Sequence, residues 1–151
     1  MTKILMVCLG NICRSPLAHG ILASKLDADK FYVDSAGTAS YHIGSPPDPR
    51  SIAVARKHGL DISTQSARQF KREDFERFDL IYAMDASNYQ NILKLATSEA
   101  DKAKVKLILN ENPDIRDKDV PDPYYGGDDG FDYVYRILND TCEHIAENLN
   151  S

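Results

Sequence analysis

Cysteine is scarce in this chain, and the three present are an odd number without regular spacing. That argues against the disulfide framework of a small secreted domain. Basic blocks are missing as well: 18 Lys and Arg face 23 Asp and Glu, for a formal net charge of −5, so no nucleic-acid surface is expected. No apolar run approaches the ~20 residues of a membrane span. The apolar stretch at the start is short and runs into Asn11 and Arg14, which reads against a signal peptide. No metal site is visible: His19, His42, His58 and His144 are scattered, and Cys142 and His144 diverge on a helical pattern. What survives these exclusions is a cytoplasmic protein with no metal or other cofactor, no nucleic-acid partner and no membrane partner. Residues 1–151 fit one domain of ordinary globular composition, 42% hydrophobic and 27% charged.

What is present centres on Val7-Cys8-Leu9-Gly10-Asn11-Ile12-Cys13-Arg14-Ser15-Pro16. The apolar run Ile4 to Val7 predicts a short buried strand, and a helical pattern opens at Pro16. Cys8 therefore stands where a strand ends and Arg14 where a helix begins. Gly10 and Asn11 between them are the residue types that most easily take a left-handed backbone. Such a loop can curl its N–H groups onto one small anion, with the helix N-terminus adding to the field. Arg14 brings a planar fork that matches two phosphate oxygens. Under that field the Cys8 thiol is expected to ionise below its usual value, at roughly 3.5–7.5 as in comparable settings.

The remaining chain alternates strand and helix patterns. Strands are expected at Phe31–Val33, Phe78–Met84 and Val105–Leu109, and helices at Pro16–Leu26, Pro49 to His58, Lys71–Arg77, Ser87–Ala96 and about Gly130 to Leu149. Residues 38–47, 60–70 and 110–129 read as loops, the last rich in Pro, Asp and Gly. The pattern predicts an α/β fold: a doubly wound, four-stranded parallel sheet with helices on both faces. Ligands of such sheets bind beyond the carboxyl ends of the strands. Cys8, Ser35 and Asp85, each placed just past a strand end, should gather at that rim.

The Cys8 loop resembles the signature of the low-molecular-weight protein tyrosine phosphatases. Asp34-Ser35-Ala36-Gly37, Pro47-Asp48-Pro49-Arg50, Ala67-Arg68-Gln69, Ala83-Met84-Asp85 and Asp122-Pro123-Tyr124-Tyr125 resemble further segments of that family, in the same order. The resemblance implies that Cys8 is the nucleophile and forms a phosphocysteine. It implies that Arg14 and the amides of Leu9, Gly10, Asn11, Ile12, Cys13 and Ser15 hold the phosphate, with Asn11 and Ser15 supporting the loop. Asp122 would be the general acid and then the base. Leu9, Tyr41, Tyr124 and Tyr125 would wall a slot for an aromatic ring. The substrates implied are phosphotyrosine-containing proteins or small aryl phosphates, with inorganic phosphate as product.

Residue chemistry separates this reading from its rivals. Related arsenate reductases need two further cysteines near the helix after the third strand, and residues 80–100 contain none. Protein arginine phosphatases carry threonine where this loop has Ile12, whose branched apolar side chain is expected to favour a phosphotyrosine ring. A phosphocarrier gains nothing from a general acid, and a binding module needs no thiol. Two departures bear on specificity: Gln65 stands where some relatives carry histidine, and Tyr41-His42 replaces a tryptophan-containing loop. Cys142 reads as core, and Asp85 as either orienting other loops at the rim or capping the helix from Ser87 onwards. Cys13, on the same curled loop, is expected to join Cys8 reversibly on mild oxidation.

Overall fold

The computed structural model describes residues 1–125 and 128–151; the side chains of Tyr125 and Asp128 also lie outside the description. Four strands, β1 (Thr2–Cys8), β2 (Phe31–Gly37), β3 (Leu80–Ala83) and β4 (Val105–Leu107), form one sheet in the order β2-β1-β3-β4. Every pairing is parallel. Around it lie α1 (Arg14–Lys25), α2 (Pro49–Lys57), α3 (Asp74–Arg77), α4 (Ala86–Leu93), α5 (Glu99–Ala103) and α6 (Asp128–Asn150).

The apolar run of β1 makes it the central strand, because a parallel strand covered on both faces needs apolar side chains at successive positions. The two-residue alternation sorts them. Ile4 and Met6 join Leu17, Ile21 and Leu22 of α1 and Phe131, Val134 and Leu138 of α6 in the larger core cluster. Leu5 and Val7 point the other way, to Phe70, Phe75, Phe78, Ile81 and Ile92. The same alternation turns Cys8 toward the α1 face, where it is 3% exposed. The chain crosses from β1 to β2 on one side and returns to β3 on the other, so the switch in winding direction falls at the carboxyl end of β1. That is where Cys8 sits.

Several boundaries differ from expectation. β2 runs on through Asp34-Ser35-Ala36-Gly37, because β1 stays in register with it to Cys8 opposite Gly37. Pairing with a central strand overrides the turn propensity of those residues. Ser35 is thus inside β2, opposite Met6, and not beyond a strand end. β1 likewise includes Cys8, and β3 is shorter than Phe78–Met84. β4 stops at Leu107; Ile108 and Leu109 are fully buried, but in a 3₁₀ turn, Ile108–Glu111. α5 was not expected; Ser98 caps it, accepting from Asp101 N–H at 3.1 Å. The 110–129 loop contains a second 3₁₀ turn, Pro123–Tyr125. No helix among the described residues is long and apolar enough to cross a membrane.

Candidate active site

The loop leaving β1 reverses at Asn11, whose φ of 57° is the one positive value at a non-glycine residue among those described. Gly10, the other residue expected to bend this way, keeps φ outside that region. A side chain at Gly10 would instead meet the ring of His42, whose Cδ2 lies 3.1 Å from the position of an added Cβ. The left-handed turn aims Asn11 N–H at Cys8 Sγ, 3.3 Å away. Ser15 Oγ lies 3.0 Å from the same sulfur and accepts from Asn11 Nδ2 at 2.8 Å. α1 opens at Arg14 with Cys13 at its N-cap and no capping side chain. Its first-turn amides thus keep their capacity for an anion. Asp48 N–H donates to Ile12 O at 2.8 Å and clasps the loop from outside.

Arg14 is 3% exposed, and its guanidinium is fixed from behind. Nη1 donates to Asp85 Oδ2 at 2.6 Å and to Val120 O at 2.9 Å. Nη2 lies 3.7 Å from Asp122 Oδ2. Burial works against the Arg14 charge, but Cys8, Asp85 and Asp122 outweigh it and hold its pKa above the ordinary value. Asp85 is the helix cap expected of it, Oδ1 accepting from Asn88 N–H at 2.8 Å at the start of α4, while Oδ2 accepts from Arg14. Asp122 is 35% exposed and accepts from Tyr124 N–H at 3.0 Å.

A small cavity of about 80 Å³ opens beside the loop, lined by Leu9, Gly10, Tyr41, His42, Asp122 and Tyr124. The structure therefore brings three expected slot residues, Leu9, Tyr41 and Tyr124, together with Asp122. Tyr125, the fourth, has its side chain outside the described residues. Ile12 and Cys13 do not face the cavity; both are buried in the larger core cluster. Ile12 thus contributes packing and backbone, and the contrast with threonine is not drawn at the slot wall. Cys8 and Cys13 are both free thiols. Burial, then the nearby charges of Asp48, Cys8 and Asp122, push the Cys13 thiol up to about 12. Burial does the same to Cys142, also to about 12, in the core as expected. Ser35 is not at the rim: its hydroxyl meets His19 Nδ1 at 3.1 Å, behind the loop. Among the described residues no His, Cys, Asp and Glu side chains cluster as metal ligands would.

A family model described as low molecular weight phosphotyrosine protein phosphatase matches residues 3–151. The chain belongs to that family. It is 46% identical over 151 residues to Synechocystis slr0328, named provisionally as a low molecular weight protein-tyrosine-phosphatase, covering 97% of this chain and 96% of that one. It is 40% identical over 157 residues to the Schizosaccharomyces pombe low molecular weight phosphotyrosine protein phosphatase, covering 99% of each. The structure superposes on a protein tyrosine phosphatase of Entamoeba histolytica, crystallised with Hepes in its active site, with a TM-score of 0.94. That match has 39% identity and covers 99% of this chain and 97% of the other. Members of this family are hydrolases, so the fold and the enzyme class of this chain are those of a protein-tyrosine-phosphatase.

Within this phosphatase several groups at the site have no role that a sequence motif assigns. Val120 reaches Arg14 through its carbonyl, which no side-chain pattern reports. Arg50 donates to Tyr124 O at 3.1 Å and to Asp48 Oδ2 at 3.0 Å, joining the start of α2 to the Asp122 loop. The segment Pro47-Asp48-Pro49-Arg50 was visible as a family segment, and that was the available signal. Gln65, the departure from histidine, donates from Nε2 to Pro16 O at 3.1 Å and so touches the start of α1.

Proposed function

We propose that this chain hydrolyses phosphotyrosine in proteins, and small aryl phosphates, through a phosphocysteine on Cys8. The Cys8 thiolate attacks phosphorus in line with the phenolic oxygen. The S–P bond forms as the P–O bond to the phenol breaks. Arg14 and the loop amides hold the equatorial oxygens, whose charge they offset through the transition state. Asp122 gives its proton to the leaving phenolate, then takes a proton from the water that displaces the sulfur, releasing inorganic phosphate.

One observation carries the reading: an amide N–H and a hydroxyl meet a single buried sulfur, and a pinned guanidinium lies near a carboxylate. Asn11 N–H and Ser15 Oγ meet Cys8 Sγ at 3.3 and 3.0 Å. Arg14 Nη2 lies 3.7 Å from Asp122. The cavity walls of Leu9, Tyr41 and Tyr124 favour an aromatic ring. Pairing three functions around one anion fits turnover and not carriage.

Cys8→Ser tests it. Hydrolysis of p-nitrophenyl phosphate should fall to background, while inorganic phosphate still binds the variant by calorimetry. Retained turnover in Cys8→Ser would remove the nucleophile from this account.

A further inference from the structure

Arg68 lies outside the slot, on the connection between α2 and α3, yet its backbone touches the catalytic loop. Its N–H donates to Asn11 Oδ1 at 3.1 Å. A backbone N–H can only donate, so the amide of Asn11 must present its oxygen there and its Nδ2 to Ser15. Ser15 Oγ then accepts from Asn11, and its single proton is left for another acceptor. Cys8 Sγ at 3.0 Å is nearer than Ala36 O at 3.5 Å. The line Arg68, Asn11, Ser15, Cys8 thereby runs with every donor pointing toward the sulfur.

What seats residue 68 is an ion cluster. Its guanidinium forks onto Asp74, Nη1 to Oδ2 at 3.0 Å and Nη2 to Oδ1 at 3.1 Å. Nε and Nη2 also reach Asp34 Oδ2 on β2, each at 3.4 Å. Asp74 is 2% exposed and accepts as well from Lys71 N–H at 2.8 Å. At the far side of the residue, Arg68 O accepts from Gly37 N–H at 2.8 Å. Gly37 is where the loop leans on β2: a Cβ there would lie 2.8 Å from Leu9 O.

We propose that Arg68, clamped by Asp34 and Asp74, is a positioning residue for the Cys8 nucleophile. Its side chain fixes the backbone N–H that sets the direction of the Asn11–Ser15–Cys8 hydrogen bonds. The proposal rests on Cys8 being the nucleophile. Loosening the clamp lets the Asn11 amide turn or drift, Ser15 loses its fixed orientation, and the sulfur loses a donor without any slot residue changing.

The test is a comparison of Arg68→Ala, Arg68→Lys and Asp34→Asn with the wild type. The readouts are kcat, KM and phosphate inhibition on p-nitrophenyl phosphate, below each variant's unfolding temperature by circular dichroism. Arg68→Ala should lower kcat about 10-fold and raise the phosphate inhibition constant, the scale of a small misplacement of reacting groups. Arg68→Lys keeps the charge but not the fork and should recover part of the loss. A fall in melting temperature alone, with kcat and phosphate inhibition at wild-type values, overturns the proposal and leaves the cluster a packing device. If Arg68→Ala does not fold, Asp34→Asn decides: it keeps the fork to Asp74 and should lose kcat roughly 2-fold, and an unchanged kcat overturns the proposal. Wild-type protein in which Cys8 never becomes phosphorylated defeats the nucleophile reading itself. Normal Cys8 phosphorylation with unaffected Arg68 variants defeats this inference alone.

Discussion

In the proposed mechanism Arg14 and Asp122 serve the same anion, yet they are built in opposite ways. Arg14 is 3% exposed and tied at 2.6 and 2.9 Å to Asp85 and to the Val120 carbonyl. Asp122 is 35% exposed, on a long loop, with one backbone N–H at 3.0 Å and a distant contact to Arg14 at 3.7 Å. The cradle grows from the central strand and is held by Asp85, Val120 O and Asp48 N–H. The Asp122 loop rests against it. The difference follows from their tasks. Phosphate must find its donors already aimed, since reorganising them during reaction would forfeit the stabilisation. In the proposed mechanism the acid admits a ring, gives up a proton and then recruits water, and Asp122 stands at the solvent edge as that would require.

Substitutions can break or sharpen that contrast. Arg14→Lys is expected to do the most harm: a point charge reaches one oxygen where the fork holds two, and aryl phosphate turnover should drop on the order of 10³-fold. Because Asp85 and Val120 O are shaped to a guanidinium, raising substrate concentration should not restore it. Steady-state kinetics at saturating substrate checks this. Asp122→Ala should slow hydrolysis of phenyl phosphate by about 10²-fold, the lower end for a general acid. The loss should shrink as the leaving group becomes more acidic. A loss equal for every leaving group would show that Asp122 is not the acid and would erase the contrast.

The smallest effect lies behind the cradle. His19 of α1, against Ser35, is half-buried, and this desolvation lowers its pKa from the ordinary 6.5 despite the opposing pull of Asp34. The unfolded chain therefore binds more protons there as pH falls through 6.5, so stability is complete above that pH and declines below it. Thermal melts should show His19→Gln flattening the decline between pH 6.5 and 5.5, by about 2 °C. Turnover at neutral pH should change little, since His19 touches neither Cys8 nor Arg14.

Much of the cradle was legible because its parts are consecutive. A buried strand, a loop with asparagine and glycine and a helix start follow one another from Thr2 to Arg14, and local chemistry nearly dictates the geometry. Even there the turn fell to Asn11 and not to Gly10, since the absence of a side chain at Gly10 makes room for the His42 ring. Asp85 stayed ambiguous because a carboxylate has two oxygens and here each serves one purpose. The extension of β2 was hidden by Asp, Ser and Gly, which read as a turn until a central partner strand is supplied. Least visible were contacts made by backbone over long separations. Val120 O meets Arg14 across 106 residues and Arg68 N–H meets Asn11 across 57, and no periodicity records such pairs.

The most direct measurement is rapid acid quench of the wild-type protein with ³²P-labelled p-nitrophenyl phosphate, followed by peptide mapping. This account predicts label on the peptide containing Cys8, absent in Cys8→Ser and accumulating when Asp122 cannot activate water. Steady turnover with no label on that peptide, or with label on another residue, would contradict it.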